Sequence, residues 1–451
     1  MAGAFFMENL DGTIIATAAP RMARSFGVPS VELNVAITAY LLALGVFIPV
    51  SGWIADRFGA RAVFSGAVAL FTVASGLCAL STSLGELTAT RVLQGLGGAM
   101  MVPVGRLVVL RAARKSDIIR VIAYLTWPAL IAPVLAPALG GALVTYASWR
   151  WIFVLNLPLG LLALVFSIRI VPNVRPPRPA GLDWAGFALT GAGLGAFVYG
   201  LELVTDDNVS WAVVGSSIVV GLVLIFWAVL HLNRSANPLL DLGVLRVETF
   251  RASSLGGSLF RVAISAAPFL LPLMFQDAFG WSPLKSGVLV IAVFVGNIAI
   301  KPFTTPMLRR FGFRTVLVCA ASAAGVTLAL CASFTARTPL VVIVAVLVAS
   351  GVFRSTGFTA YNTIVFADVA PPAMGNANTL SSTIQQLTMG LGVAVGALAL
   401  RVGAPLDRLV GAASTGARPF DAAFVLLAFV AFLAAGEAAL LPRQAGSAIA
   451  S

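Results

Sequence analysis

The feature that most limits what this chain can fold into is a series of apolar runs that recurs along its whole length, as in "LLALGVFIPVSGWIA" from Leu41 and "VLLAFVAFLAAGEAALL" from Val425. A helix needs about 20 such residues to cross roughly 30 Å of hydrocarbon. With 59% hydrophobic and 10% charged residues, the chain carries more apolar surface than a water-soluble core can enclose, so its solvent is the bilayer. Lipid offers no partner to backbone N–H and C=O groups, and the runs must therefore be helices.

Fourteen spans are expected, near residues 2–22, 33–54, 62–82, 86–109, 118–144, 149–171, 183–204, 211–231, 253–278, 283–305, 314–334, 338–366, 376–400 and 420–441. The Pro-rich "PNVRPPRPAG" from Pro172 and the long loop from Leu232 are the main breaks. They divide the chain into residues 1–171, a short central piece 172–252, and residues 253–451.

Basic residues set the orientation. Loops on the side of Arg57, Arg61, Arg111, Arg114, Arg175, Arg309 and Arg310 hold about twice as many as the opposite loops. Both termini are therefore expected in the cytoplasm, with Arg401, Arg408 and Arg418 running against the rule. The net charge of +12 is a matter of topology and contact with anionic lipid, and nothing in it calls for nucleic acid. Cys78, Cys319 and Cys331 are odd in number, lack metal-ligand spacing and read as small core residues. No cleaved leader is expected, and the seven residues before Glu8 are a short lead-in that fits a start upstream of Met1.

An internal repeat organises the helices. "DRFGARAV", Asp56 to Val63, aligns with "RRFGFRTV", Arg309 to Val316, pairing Arg57 with Arg310, Phe58 with Phe311, Gly59 with Gly312, Arg61 with Arg314 and Val63 with Val316. The first copy joins expected spans two and three, the second joins ten and eleven. A repeat of eight spans is a six-helix unit plus two further helices.

At "GWIADRFGAR", Gly52 to Arg61, the chain resembles the major facilitator superfamily. "RVLQGLGGAMMVPVGR" from Arg91, "PALIAPVLAPALGGAL" from Pro128 with "WRWIFVLNLPLG" from Trp149, and the opening "LDGTIIATAAP" resemble motifs of its fourteen-span drug:proton antiporters. Within that family the chain looks most like the branch holding a bacterial multidrug or citrate-linked iron exporter.

The resemblance implies an all-α polytopic membrane protein: two six-helix bundles with two extra helices inserted between them. It also implies export of small amphipathic drugs or organic-acid metabolites across the plasma membrane, driven by a proton gradient without a cofactor, by a monomer whose partners are substrate, protons and lipid. Gly52, Asp56, Arg57, Gly59 and Arg61 would form a cytoplasmic gate, and Pro133, Pro137, Gly140 and Gly141 the antiporter motif. The chain departs from the family's pattern at Ala16, where asparagine is common, and at Ala132 and Ala136, where glycine is. Arg309 stands where the second repeat would carry an aspartate.

Charged residues inside spans are costly, at least ~2.5–3.5 kcal/mol each, and are functional candidates by default. Glu8 and Asp11 are three apart and share one side of a helix. One reading makes Asp11 the proton carrier with Glu8 assisting and Arg91 beside them; the other pairs Asp11 permanently with a base to fix helix packing. The in-span bases are Arg91, Arg106, Arg261, Lys301 and Arg354, against Glu8, Asp11 and Glu202, with Asp277 and Glu437 near enough to span ends to snorkel. Lys301 and Arg106 lie toward span ends, so Arg91, Arg261 and Arg354 carry an inference of an anionic substrate, with Arg261, Arg354 and Glu202 placed in its cavity; each arginine is equally open to a structural ion pair. The glycine pairs 191 with 195 and 392 with 396 read as helix-packing spacings. GxSxG, GxxxxGK[ST] and HExxH are all absent, and the single His231 sits at a span edge. An exporter, a facilitator-fold receptor that binds without transporting, and a membrane enzyme are the classes in competition, in that order.

Overall fold

The computed structural model describes residues 1–114, 117–171, 181–204, 210–409 and 418–447, and the regular structure within them is helical. In chain order the helices are α1 (Ala2–Phe26), α2 (Asn34–Phe58), α3 (Ala60–Leu80), α4 (Leu84–Ala112), α5 (Ile118–Tyr146), α6 (Trp151–Ile170) and α7 (Trp184–Leu203). They continue with α8 (Trp211–Arg234), α9 (Glu248–Ala278), α10 (Pro283–Ala299), α11 (Lys301–Ala332), α12 (Leu340–Ile364), α13 (Met374–Leu409) and α14 (Arg418–Ala439). Among the described residues eleven helices are long and apolar enough to cross a membrane. The expected count of fourteen exceeds that by α1, whose apolar run is interrupted by Glu8, Asn9 and Asp11, by α5, and by the short α10.

The repeat read from the sequence is a repeat in the backbone. Gly59 (φ 93°, ψ 132°) separates α2 from α3, and Gly312 (φ 74°, ψ 162°) breaks α11 at the equivalent point. An L-residue is disfavoured at positive φ, so each loop turns on its glycine. α10 runs almost directly into the first part of α11, and the turn expected between spans ten and eleven is at Gly312.

Packing follows the same repeat. α1 packs along α5, α2 and α3 along α4, and α3 along α6; in the second half α9 packs along α13, α10 and α11 along α12, and α11 along α14. The halves meet where α2 lies against α13 and α5 against α10, two contacts that the repeat interchanges. α7 and α8 pair with each other, and α7 leans on α2 and α13. Gly191 and Gly195 of α7 both approach Val46, and Gly392 and Gly396 of α13 approach Val262 and Ala266 of α9. The apolar window of α8 is 17% buried and that of α4 67%, which puts α8 at the periphery and α4 at the centre. Cys78 and Cys331 are buried; Cys319 is exposed on α11, so that one is not a core residue.

Candidate functional site

Asp11 is buried inside the first half and fully engaged. Arg91 donates to its Oδ2 at 2.5 Å, while Gln94 and Asn156 donate to Oδ1 at 2.9 and 3.0 Å. Asn156 also donates to Ser75, at 3.0 Å, and the Ser75 hydroxyl donates to the Phe153 carbonyl at 3.0 Å. Arg91 donates again to Gln94 at 2.7 Å and lies 4.0 Å from the centre of the Tyr40 ring. This network joins α1, α3, α4 and α6. Three donors thus occupy both oxygens of the Asp11 carboxylate.

Glu8, one turn earlier on α1, faces elsewhere. It lines a cavity of about 420 Å³ between the two halves, together with Asn9 and Thr13 of α1, Arg106 of α4, Arg261 and Ser265 of α9, Asn297 of α10, Arg354 and Ser355 of α12, and Gln385 and Gln386 of α13. Buried polar atoms in a folded protein normally find partners. Here Glu8 Oε2, Arg106 NH1, Arg261 Nε, Arg354 NH1 and both amide atoms of Asn297 are buried without one. Among the described residues Arg261 donates across the second half to Asn362 Oδ1 at 3.2 Å. Three guanidinium groups and one carboxylate thus border a largely apolar cavity with bonding capacity unused.

At the end of the bundle that carries Gly59 and Gly312, the halves are closed. A Cβ on Gly52 would collide with Thr379 Oγ1 of α13. Asn378 of α13 donates 2.8 Å to the Pro103 carbonyl of α4. Asp56 pairs at 2.8 Å with Arg111 on α4, in its own half, and its carboxylate faces Gly375 in the first turn of α13. What Asp56 meets across the closure is thus a helix N-terminus, whose partial positive charge suits a carboxylate. Arg57 is exposed and Arg61 half-buried. Away from this end the cavity is open: Thr13 and Met389, which line it farther along α1 and α13, are exposed.

The other expected residues divide. Glu202 is in the last turns of α7, apart from the residues that line the cavity. Gly140 of α5 touches Thr17 and Ile14 of α1, Ala132 and Ala136 are buried, and Gly141 faces open space. The side chains of Pro133, Pro137 and Ala16 lie outside the described residues. Arg106 lines the cavity and does not snorkel, whereas Arg91 is spent on Asp11. Lys301 is buried and donates to Thr359 at 2.6 Å, and Glu437 keeps a buried, unpartnered Oε2 beside Gly256 and near Tyr361, so neither reaches out to an interface. Gln94, Asn156, Ser75, Asn297 and Gln385 are functional-site residues that charge counting passes over. Their signal was polarity within apolar runs.

Residues 1–243 and 253–448 match the family model described as Major Facilitator Superfamily. The chain is 36% identical over 404 residues to "Putative multidrug resistance protein MdtD" of Escherichia coli O6:H1, covering 89% of this chain and 85% of that one. It is also 36% identical over 401 residues to the protein of the same name in Enterobacter sp., with the same coverage. Among solved structures, the human organic anion transporter MFSD10 superposes with a TM-score of 0.68 at 14% identity over 97% of each chain. The proton:xylose symporter XylE superposes with a TM-score of 0.65 at 14% identity, over 99% of this chain and 95% of that one.

Proposed function

As the chain belongs to the major facilitator superfamily, a family of transporters and not enzymes, we propose that it is a proton-coupled antiporter that exports small amphipathic molecules carrying an acidic group. It is a multi-pass bacterial membrane protein. In our reading α1, α5 and α10 cross the membrane as well, giving fourteen spans: a bundle of residues 1–171, an inserted pair in 172–252 and a bundle of 253–451. Both termini and the Gly59 end face the cytoplasm, which makes this conformation open to the outside, and the monomer is the working unit.

The observation that carries the reading is the cavity with Arg106, Arg261 and Arg354 around one carboxylate, Glu8, each with a buried polar atom unused. In a site of low dielectric, three cations favour an anionic group. Glu8, in the cavity and without a fixed base, is better placed to exchange a proton than Asp11, which is saturated. Asp11 and Arg91 then hold α1, α4 and α6 in register while Glu8 titrates.

The sign of the coupling depends on what the substrate offers Glu8. A molecule whose hydroxyl or amine donates to the Glu8 carboxylate, and whose acidic group meets the arginines, loses an acceptor when Glu8 is protonated and is released. Proton entry then drives substrate exit by alternating access. A substrate with an acidic group alone gains affinity on protonation, because Glu8 stops competing for the arginines, and would travel with the proton. The name carried by the 36% identical relatives favours export.

Purified protein in proteoliposomes tests this. Acidic amphiphiles that also carry a hydroxyl or amine should compete better than quaternary ammonium dyes of equal size, bind more weakly as pH falls, and be accumulated when a pH gradient is imposed. Competition by the dyes alone, or binding that tightens with acid, overturns the substrate class or the direction of coupling. Binding with no counterflow would mark a receptor.

A further inference from the structure

The seam where α5 meets α10 and α11 contains a second cavity, of about 660 Å³, lined by residues other than those around Glu8. Arg120, Ala123, Tyr124 and Trp127 form one wall at i, i+3, i+4 and i+7, a single helical stripe; Ile298, Ala299, Lys301, Pro302 and Thr305 form the other. The two cations lie toward the Gly59 end. Arg120 is exposed, its guanidinium 5.6 Å from the Tyr124 ring. Lys301 is buried, and its ammonium has three donors of which Thr359 takes one. Among the described residues no carboxylate lies within ion-pair distance of Lys301. A buried cation without a counter-ion is costly unless an anion arrives from outside the chain.

Beyond the cations both walls turn apolar and stay exposed. On α10 Ile291 and Val295 are exposed on the side of Ile298 and Pro302, and on α5 Leu135 and Leu139 are exposed to one side of the stripe. From Trp127 to Leu139 a helix rises about 18 Å, the length of a phospholipid acyl chain's extended part. Cations at one end, aromatic rings below them and an open apolar track beyond make a shape with a charged head and a hydrocarbon tail.

We propose that this seam binds one acidic phospholipid, with its phosphate on Lys301 and Arg120 and its chains along α5 and α10. The occupant is a lipid and not a soluble anion, because the acyl chains of the bilayer already cover the apolar faces beside these cations, so an anionic headgroup reaches them without leaving the membrane. A lipid there wedges the α5–α10 contact, one of the places where the halves meet.

The test is thermal unfolding of the detergent-purified full chain, titrated with phosphatidylglycerol or with phosphatidylcholine of identical chains. Phosphatidylglycerol should raise the melting temperature at lower concentration. Arg120→Gln and Lys301→Met should each weaken that response about fivefold, from the ~1 kcal/mol that a basic residue contributes at an anionic lipid surface, while leaving phosphatidylcholine unchanged. Arg120 is exposed, so Arg120→Gln folds even if Lys301→Met does not. A brominated phosphatidylglycerol should quench fluorescence in the parent protein and less in Trp127→Phe. Equal responses to the two lipids, or undiminished phosphatidylglycerol binding in Arg120→Gln, would refute the site. Inorganic phosphate reproducing the shift would make it a soluble-anion site, and dodecanoate binding more tightly than phosphatidylglycerol would make it an entry for single-chain acids; either result overturns the lipid assignment.

Discussion

Asp11 and Arg91 lie 2.5 Å apart with at most 1% of either side chain exposed, and the Tyr40 ring covers the guanidinium at 4.0 Å. Breaking a buried pair from one side leaves the other charge stranded, which costs ~3–5 kcal/mol. Asp11→Asn is therefore expected to unfold at a much lower temperature and to yield little monodisperse protein. Adding Arg91→Gln should restore part of the loss, since no charge is then left unpaired. Size-exclusion recovery after heating reads both; an Asp11→Asn variant as stable as the parent would show that the pair does not fix the helices.

Glu8→Gln should behave in the opposite way. Glu8 has a buried oxygen without a partner, so an amide of the same shape removes charge without stranding a fixed partner, and folding should survive. Exchange of substrate for substrate should persist, because it needs only alternating access around the cavity. Accumulation driven by a pH gradient should be abolished, and the affinity should become independent of pH. If the variant still accumulates substrate at the parent's rate, the proton is carried elsewhere.

Glu8 and Asp11 also show how far the sequence could be read. Three residues apart, they share a side of α1, yet they differ by about 60° around the axis, which is enough to turn one into the cavity and the other into the first half. Periodicity finds the side and not the neighbour. Arg91 and Arg106 were both visible as bases in one apolar run, but which was spent depended on Asp11, Asn156 and Ser75 arriving from other parts of the chain. Gly59 and Gly312 were legible because a tight turn between helices demands glycine twice, and the demand repeats with the fold. The α5–α10 seam left no trace, since Lys301 read as a base toward a span end and Arg120 as one of the basic residues on the cytoplasmic side.

Asp183 gives a pH dependence outside the spans. It caps α7 by accepting from the Gly186 N–H at 2.8 Å, accepts from the Leu239 N–H of the linker at 3.2 Å, and lies 2.8 Å from His231 Nε2 of α8. Burial alone would raise its pKa, but these contacts outweigh it and hold the carboxyl below the usual aspartate range. A folded-state pKa below the unfolded one contributes stability that is complete above the unfolded value, about 3.9, and is lost as pH falls through the folded value. Asp183→Ala should cost ~0.5–2 kcal/mol near neutral pH, as loss of a helix cap does. The parent's melting temperature should fall toward the variant's under acid conditions. A difference between the two that stays constant below pH ~4 would show that the charge of Asp183 contributes nothing.

Gly52 and Thr379 decide the closure of the Gly59 end. The α2 backbone approaches Thr379 so closely that even a methyl group at position 52 would overlap its hydroxyl. Overpacking a tight contact costs ~1–3 kcal/mol, and here only the closed arrangement pays it, because separating the halves removes the overlap. Gly52→Ala should thus shift the population toward opening at this end by roughly fivefold to a hundredfold, with little effect on the cavity. Labelling of a cysteine placed at Asn378, whose amide bonds the Pro103 carbonyl in the closed form, would read the change as faster modification. Thr379→Gly removes the obstructing hydroxyl and methyl, so combining it with Gly52→Ala should return labelling toward the parent rate, a coupling that independent sites do not show. Gly52→Ala that labels no faster than the parent would mean the helices yield to the methyl group, and Gly52 would then be no more than a packing position. If it labels faster and Thr379→Gly fails to reverse it, the strain lies elsewhere along α2, and the contact with α13 is not what holds this end shut.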